Sequence, residues 1–581
     1  MERFAKLLFI PVIAFSLVFG GWSLHTGLDV TGAKTVKINE SIHIDQIGYG
    51  TKDVKKAVIA GAKGQKFALI EEKSGKNVFE GDLTGRINDK SSRDTVSYAD
   101  FSKVQTPGSY YIFIPEMGRS YTFKIGSGIY KNIKNGMLKA LYYQRCGMKL
   151  YYKYAGAWQH DACHTSKGSI YGTEKTLDGS GGWHDAGDYG KYTVPAAKAM
   201  ADLMLAYETF PGAFKENVNI PESGNKIPDI LDETKYELLW LFKMQDKSSG
   251  GVYHKLTSAN FPEMTTMPDA DISDLIFSPV SPTATGDFAA VMAMASRVYK
   301  PFDKQLSAKC LAAAEKAWKW LQKNKNAKQF KNPDDIVTGD YSDTSDKDER
   351  YWAAAELYRA TAKKEYHDYF KDAYKNGKFD KFDFKWTDTK EVYNMSAFGT
   401  ITYLNTDRNK VDKTIYNDIK SKFIKKADGL VSIAKADGYG VALKSDEYFW
   451  SSNMNVTDKA IFLTFANKFQ PKKDYVNTAQ DHLHYLFGRN ALGQCYVTGF
   501  GSKPVIQPSH RPSVADGIDA PVPGLVAGGP DSYMEDPSAQ SALTGAAPAK
   551  CYIDDATSYS TNEIAIYWNA SAVFLAGYFD R

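Results

Sequence analysis

From about residue 129 to the C-terminus, apolar residues recur at helical spacing in twelve segments, and no strand-like run separates them. The segments are 129–145, 192–208, 229–245, 286–299, 307–323, 348–362, 365–373, 392–404, 414–434, 455–468, 474–487 and 561–578. The segment 307–323, for instance, places Leu311, Ala314, Ala317 and Trp318 on one face. So many helices joined without strands suit six hairpins closed into a toroid, an (α/α)6 barrel. A barrel of this kind gathers its long loops at one end. There the glycine-rich decapeptide Gly181–Gly190 would meet the Gly/Pro-rich stretch 488–560.

Before residue 128 the texture differs. Short β-branched or alternating runs (Ile42–Ile44, Lys56–Ile59, Phe67–Ile70, Tyr110–Ile114, Tyr121–Ile125) are punctuated by turn residues such as Ser74-Gly75 and Pro107-Gly108. This spacing predicts a β-sandwich. The expected division is therefore 1–34, 35–128 (sandwich) and 129–581 (barrel). In the first of these, Arg3 and Lys6 precede an apolar run from Leu7 to Leu24. That pattern reads as a signal peptide, with an uncleaved membrane anchor as the alternative, and puts the rest of the chain outside the cytoplasm. A near-balance of 72 basic and 68 acidic residues supplies no basic stripe for nucleic acid. Aromatic side chains are plentiful, at 37 Tyr, 31 Phe and 10 Trp, and carbohydrate clefts draw on the same residues as cores do.

The decapeptide Gly181-Gly-Trp-His-Asp-Ala-Gly-Asp-Tyr-Gly190 holds Asp185 and Asp188 three apart, flanked by Trp183 and Tyr189. Glycine at this density resists helix formation and lets backbone approach a ligand closely. The flanking rings offer flat faces on which a sugar can stack. By themselves the two aspartates fit a helix N-cap or a calcium loop equally well. Their best partner is Glu563, in Tyr559-Ser-Thr-Asn-Glu-Ile-Ala-Ile-Tyr-Trp-Asn569. It is expected in the first turn of the last helix, where the dipole favours ionised carboxylate by about 0.3–1 kcal/mol. In a cleft, desolvation and a nearby like charge outweigh that and keep the proton on. The competing role for Glu563 is to close a capping box with Ser560.

These two motifs together resemble the catalytic signatures of glycoside hydrolase family 9. Cys495-Tyr-Val-Thr-Gly-Phe-Gly501 with His510-Arg511 lies between them. Ile42-His-Ile-Asp-Gln-Ile-Gly-Tyr49 and Asp100-Phe-Ser-Lys-Val-Gln-Thr-Pro-Gly-Ser-Tyr110 resemble the immunoglobulin-like first domain of one branch of that family. The resemblance implies an immunoglobulin-like sandwich followed by an (α/α)6 barrel, which hydrolyses β-1,4-glucosidic bonds with inversion and needs no organic cofactor. It makes Asp188 the general base and Glu563 the general acid. Asp185 helps hold the water, and Arg511, His510 and Asp554 are the expected substrate-binding groups. Tyr559 and Trp450 are candidate cleft aromatics that bind substrate, with a core role as the alternative for each. Asp554 is also a candidate for tuning the acid. One departure stands out: the family arrangement is His-x-Arg, and here Ser509 occupies the position of the histidine. Either His510 substitutes through a shifted loop, or the subsite is altered. An exo-acting β-glucosidase or exo-β-glucosaminidase is therefore the alternative activity.

Cys146, Cys163, His164 and His184 supply two thiols and two imidazoles, a set that suits tetrahedral zinc. A Cys146–Cys163 disulfide competes for the same thiols in an oxidising compartment. The resemblance favours a structural zinc bracing the catalytic loop. Cys310 falls on the apolar stripe of its helix. Asp343, Asp348 and Glu349 cluster oxygen donors ahead of a helix, as calcium loops do. Two rival functions remain: a hydrolase with a catalytic metal on His184, Asp185 and Asp188, and a carbohydrate-binding protein without turnover. The expected partner is a β-glucan poly- or oligosaccharide, bound by a monomer.

Overall fold

The computed structural model describes residues 36–377, 379 and 394–580, so the N-terminal apolar run and the start of the expected helix 392–404 lie outside the described residues. Residues 42–126 form two sheets packed face to face. One sheet orders strands 42–43, 56–60, 95–100 and 84–88; the other is built around 66–71, 108–114 and 123–126. Alternation along the strands works as expected. Phe67 and Leu69 join Tyr110, Ile112 and Ile114 in the core between the sheets, while Ala68, Ile70, Tyr111 and Phe113 form a smaller cluster on the outer face.

All twelve expected helices are present: α1 Lys131–Tyr143, α2 Thr193–Thr209, α3 Asp229–Met244, α4 Pro282–Val298, α5 Lys304–Lys323, α6 Lys347–Thr361, α7 Lys364–Gly377, α8 Ser396–Leu404, α9 Lys413–Ala436, α10 Ser452–Phe469, α11 Lys473–Leu486 and α12 Ile566–Phe579. The even-numbered helices form the inner ring. Helix α2 packs on α4, α4 on α6 and α6 on α8, and α12 packs on both α10 and α2. Each odd-numbered helix lies outside an inner one. Sequence accounts for the division. Inner helices such as α4 and α12 are apolar or small on every side and buried almost throughout, whereas outer α5 buries only the stripe Leu306, Cys310, Ala313, Ala314, Ala317, Trp318 and Leu321.

One expectation needs correcting. The loops between helices do contain strands, and 176–178, 167–170, 276–277, 255–257 and 191–192 form a small sheet in that order. These strands are too short for their alternation to register in the sequence. They hold the floor of the site, because the decapeptide runs directly into 191–192.

The sandwich is joined to the barrel through the motif that resembles a family signature. Buried Asp45 accepts from His484 Nδ1 at 2.7 Å. Gln46 Oε1 accepts from Ser502 N and Lys503 N, each at 2.8 Å, and its amide donates to Gly493 O. These hydrogen bonds offset the cost of burying Asp45 and Gln46 at the junction.

Candidate active site

A cleft of about 290 Å³ opens where the barrel loops converge; Asp188, Glu563, Tyr341, Trp450 and Phe261 are among its lining residues. The decapeptide is held rigidly beneath it. Gly181 and Gly182 take left-handed φ values of 91° and 77°, a region that glycine enters without steric cost. Trp183 N donates to Glu237 Oε2 at 2.5 Å and its indole N–H to Glu233 Oε2 at 3.3 Å. Gln144 anchors the next residues: its amide nitrogen donates to the carbonyls of His184 (3.2 Å) and Ala186 (2.9 Å). At Gly187 the backbone lies so near the next segment that a Cβ would stand 2.0 Å from Ser509 O. Only glycine fits there.

Trp183 and Tyr189 are not sugar platforms. Trp183 is 1% exposed and Tyr189 5%. The Tyr189 ring lies against His164 and His184, and its hydroxyl donates to Thr266 O at 2.6 Å. In so tight a loop, large apolar rings turn inward and brace the backbone.

The three carboxylates meet as anticipated. Asp188 Oδ1 accepts from Gly190 N at 2.6 Å. Asp185 Oδ2 accepts from the Tyr341 hydroxyl, and its Oδ1 is buried with no hydrogen-bond partner. Glu563, however, is not in the first turn of the last helix. It follows the short helix Tyr559–Asn562 in extended backbone, three residues before α12 begins at Ile566. Its neighbours Ile564 and Ala565 bridge to Ala527 and Ala186, so backbone pairing pulls the segment straight. The expected capping box is absent as well, for Ser560 Oγ has no partner. The helix dipole therefore does not oppose protonation of Glu563.

Electrostatics distinguish Glu563 from Asp188, while burial raises Asp185, like Glu563, well above the ordinary range against the Tyr341 hydrogen bond. Burial raises the Glu563 carboxyl well above the ordinary range, and the charges of Asp188 and Asp185 raise it further. Burial also raises Asp188, but Arg511, the Gly190 N–H and Lys255 oppose the rise. Lys255 is itself pushed down to about 8 by burial. It stays beside the site by donating to Thr338 O, Thr338 Oγ1 and Gly339 O at 2.7–3.0 Å.

The expected substrate-binding residues fall into two groups. Trp450 lines the cleft, and Tyr559, 39% exposed on the rim, sits 5.4 Å from it ring to ring. Arg511 donates to Pro262 O (2.8 Å) and Gly187 O (3.0 Å), near the Phe261 ring. His510 does not stand in for a histidine at 509. It is 1% exposed and lies between Gln144 Oε1 and Ser513 Oγ, each at 2.9 Å, outside the cleft wall. Extended backbone sends adjacent side chains to opposite sides, so a shift of one position cannot be recovered locally. Ser509 is the residue paired beside Glu563. Asp554 is occupied with structure: its oxygens accept from Ile506 N (2.8 Å), Gln507 N (2.9 Å) and Asn562 Nδ2 (3.1 Å).

Tyr341, Tyr192, Phe261 and Ser451 also line the cleft. Tyr341 escapes a sequence reading because its segment looks like a calcium loop. Its left-handed φ of 45° is uncommon for a non-glycine residue and turns the ring toward Asp185.

Two further clusters surround the site. One ligand atom each from Cys146, Cys163, His164 and His184 lies within 4.8 Å of all the others. All five cysteines are free, so the Cys146–Cys163 disulfide does not form. The set provides four soft or borderline donors including His184, while Asp185 meets Tyr341 instead. That arrangement does not assemble a catalytic metal on His184, Asp185 and Asp188. The second cluster gathers Asp343, Asp348 and Glu349, all buried, and adds Asp287 from α4. Both carboxylate oxygens of Asp287 and both of Glu349 lack hydrogen-bond partners. Burial raises both carboxyls, with Asp348 adding to each by like charge. Uncompensated buried carboxylates are what a hard cation would satisfy. Asp287 gives no sign of this in the sequence, since it sits inside a helix far from the loop.

Comparison with known proteins follows the same lines. Residues 130–576 match the family described as "Glycosyl hydrolase family 9" and residues 37–119 the "Cellulase N-terminal ig-like domain". Endoglucanase D of Acetivibrio thermocellus is 36% identical, covering 100% of this chain and 87% of its own length. AaCel9A, solved in complex with cellobiose-like isofagomine, superposes with a TM-score of 0.88 at 38% identity over 93% of this chain and 99% of its own. A Zn-binding triple mutant of the family 9 endoglucanase J30 superposes with a TM-score of 0.85 at 33% identity, covering 92% of this chain and 99% of its own.

Proposed function

The chain belongs to glycosyl hydrolase family 9, and on that basis we propose that it cleaves β-1,4-glucosidic bonds in glucans with inversion, Asp188 acting as base and Glu563 as acid. One observation supports this above others. Glu563 and Asp188 line a single cleft, and burial together with the charges of both aspartates raises Glu563 well above the ordinary carboxyl range. Asp188 stays the more acidic because Gly190 N–H, Arg511 and Lys255 favour its charged form. It deprotonates a water whose second acceptor is the unpartnered Oδ1 of Asp185. Glu563 then gives its proton to the departing oxygen. Inversion requires roughly 6.5–9.5 Å between the two carboxyls, leaving room for that water. NMR of early product tests the reading: the α-anomer should appear first, and a β-anomer would overturn it.

The pH profile follows from the same shifts. The acid limb of kcat/KM reports the ionisation of Asp188, and the alkaline limb reports loss of the proton from Glu563. Arg511 lowers both carboxyls, so Arg511→Met should move both limbs to higher pH. Limbs that stay in place would separate Arg511 from this role.

The Cys146, Cys163, His164 and His184 set fits a structural zinc that would brace the decapeptide; bound there, it supplies a rigid cross-link and no activated water. Asp287, Asp343, Asp348 and Glu349 carry the oxygen donors that calcium takes, although their carboxylates do not stand within ligand distance of one another as the Cys–His set does. Calcium at about 100 times its Kd should stabilise the fold by about 2.7 kcal/mol. Thermal unfolding should therefore rise in temperature with added calcium and fall with chelator, and Asp287→Ala should remove the calcium increment. The apolar run Leu7–Leu24 supports export from the cytoplasm; cell fractionation with N-terminal sequencing of the product tests it.

A further inference from the structure

Of residues 258–274, only Pro268 is buried. This segment joins strands 255–257 and 276–277 without helix or strand of its own, so polar straps rather than apolar packing hold it in place. Its first end lies along the Tyr341 loop, with Val337 N donating to Ala259 O at 2.9 Å and Thr338 Oγ1 to Ser258 O at 3.2 Å. Its middle forms a cleft wall, carrying Phe261 and the Pro262 carbonyl that receives Arg511 Nε. Its far end reaches the cysteine–histidine cluster. There Asp271 Oδ2 lies 3.2 Å from His164 Nε2, while His164 Nδ1 faces His184 Nε2 at 3.3 Å within the cluster. Asp271 is itself oriented, because its Oδ1 accepts from Ser273 N (3.0 Å) and Ser273 Oγ (2.6 Å).

A histidine with a carboxylate on one ring nitrogen carries its proton there and leaves the other lone pair for a metal. We propose that Asp271 is a positioning residue that couples the metal site to the cleft wall. A cation held by Cys146, Cys163, His164 and His184 fixes the His164 ring. The ring's Nε2–H, through Asp271, then pins segment 258–274, and with it Phe261 and the aim of Arg511. The inference rests on the metal reading above and extends it: occupancy of the cluster sets the order of a substrate-binding loop with no metal in the cleft.

Hydrogen exchange on segment 258–274, measured with and without zinc, tests the coupling alongside metal content. In the wild-type protein, stripping the metal should raise exchange in this segment while the inner helices stay protected. Asp271→Ala should raise exchange with zinc present and weaken zinc retention about 10–100-fold, and chelation should then add little more. Asp271→Asn, which keeps an acceptor but no charge, should fall between them. On soluble glucan, Asp271→Ala should raise KM severalfold and leave kcat within about twofold, since other contacts hold Asp188 and Glu563. If wild-type protein binds no zinc, the metal reading fails and this inference with it. If zinc binds but the segment exchanges equally with and without it, or chelation loosens Asp271→Ala as much as wild type, the coupling alone is overturned.

Discussion

Glu563→Gln should lower kcat/KM on a soluble β-1,4-glucan by about 10²–10⁴-fold, the range for loss of a general acid or base. The substitution keeps size and shape at a partly exposed position on the cleft wall and removes only the proton that can be given away. The loss should depend on the leaving group. A sugar hydroxyl departs poorly as an alkoxide and needs that proton, whereas a dinitrophenolate or fluoride does not. Activity of Glu563→Gln on an activated aryl glycoside should therefore approach that of the wild-type enzyme. Equal losses on both substrates would remove Glu563 from the role of acid.

Asp188→Asn should produce a loss of similar or larger size, and here the leaving group should make no difference. Water attack on the anomeric carbon needs a base however good the leaving group is. A second effect has a definite sign. The Asp188 charge is one of the causes that raise Glu563, so its removal should let Glu563 lose its proton more easily. The alkaline limb of any residual activity should move to lower pH. An asparagine variant that retains half its activity, or whose alkaline limb moves up, would contradict the assignment of base and the coupling respectively.

The two variants probe residues whose place in the cleft was only partly legible. Asp188 and Asp185 stand in a motif, and their glycines mark a tight loop. Glu563 was recognisable as a partner, but not its backbone. An apolar run continuous with α12 reads as one helix, while strand-like pairing of Ile564 and Ala565 with Ala527 and Ala186 breaks it. That pairing depends on segments beyond the local stretch, Ala186 being hundreds of residues away, and no local propensity reports it. Likewise the rings of Trp183 and Tyr189 look like sugar platforms in sequence and turn out to be internal braces. Tyr341 and Trp450 make the wall, and Asp287 completes a carboxylate cluster from the middle of a buried helix.

Periodicity alone located the twelve helices, and helix–helix packing decided which of them lie inside the ring. The resemblance of two motifs to a family's signatures indicated which three carboxylates belong together. Tertiary structure decided what those groups can do. It set Glu563 off the helix dipole, placed Arg511 and Lys255 to hold Asp188 down, and put Asp271 against His164. The reason is one of range. Propensity and periodicity act between near neighbours in the chain, whereas desolvation and charge act through space, between residues that only the closed ring brings together.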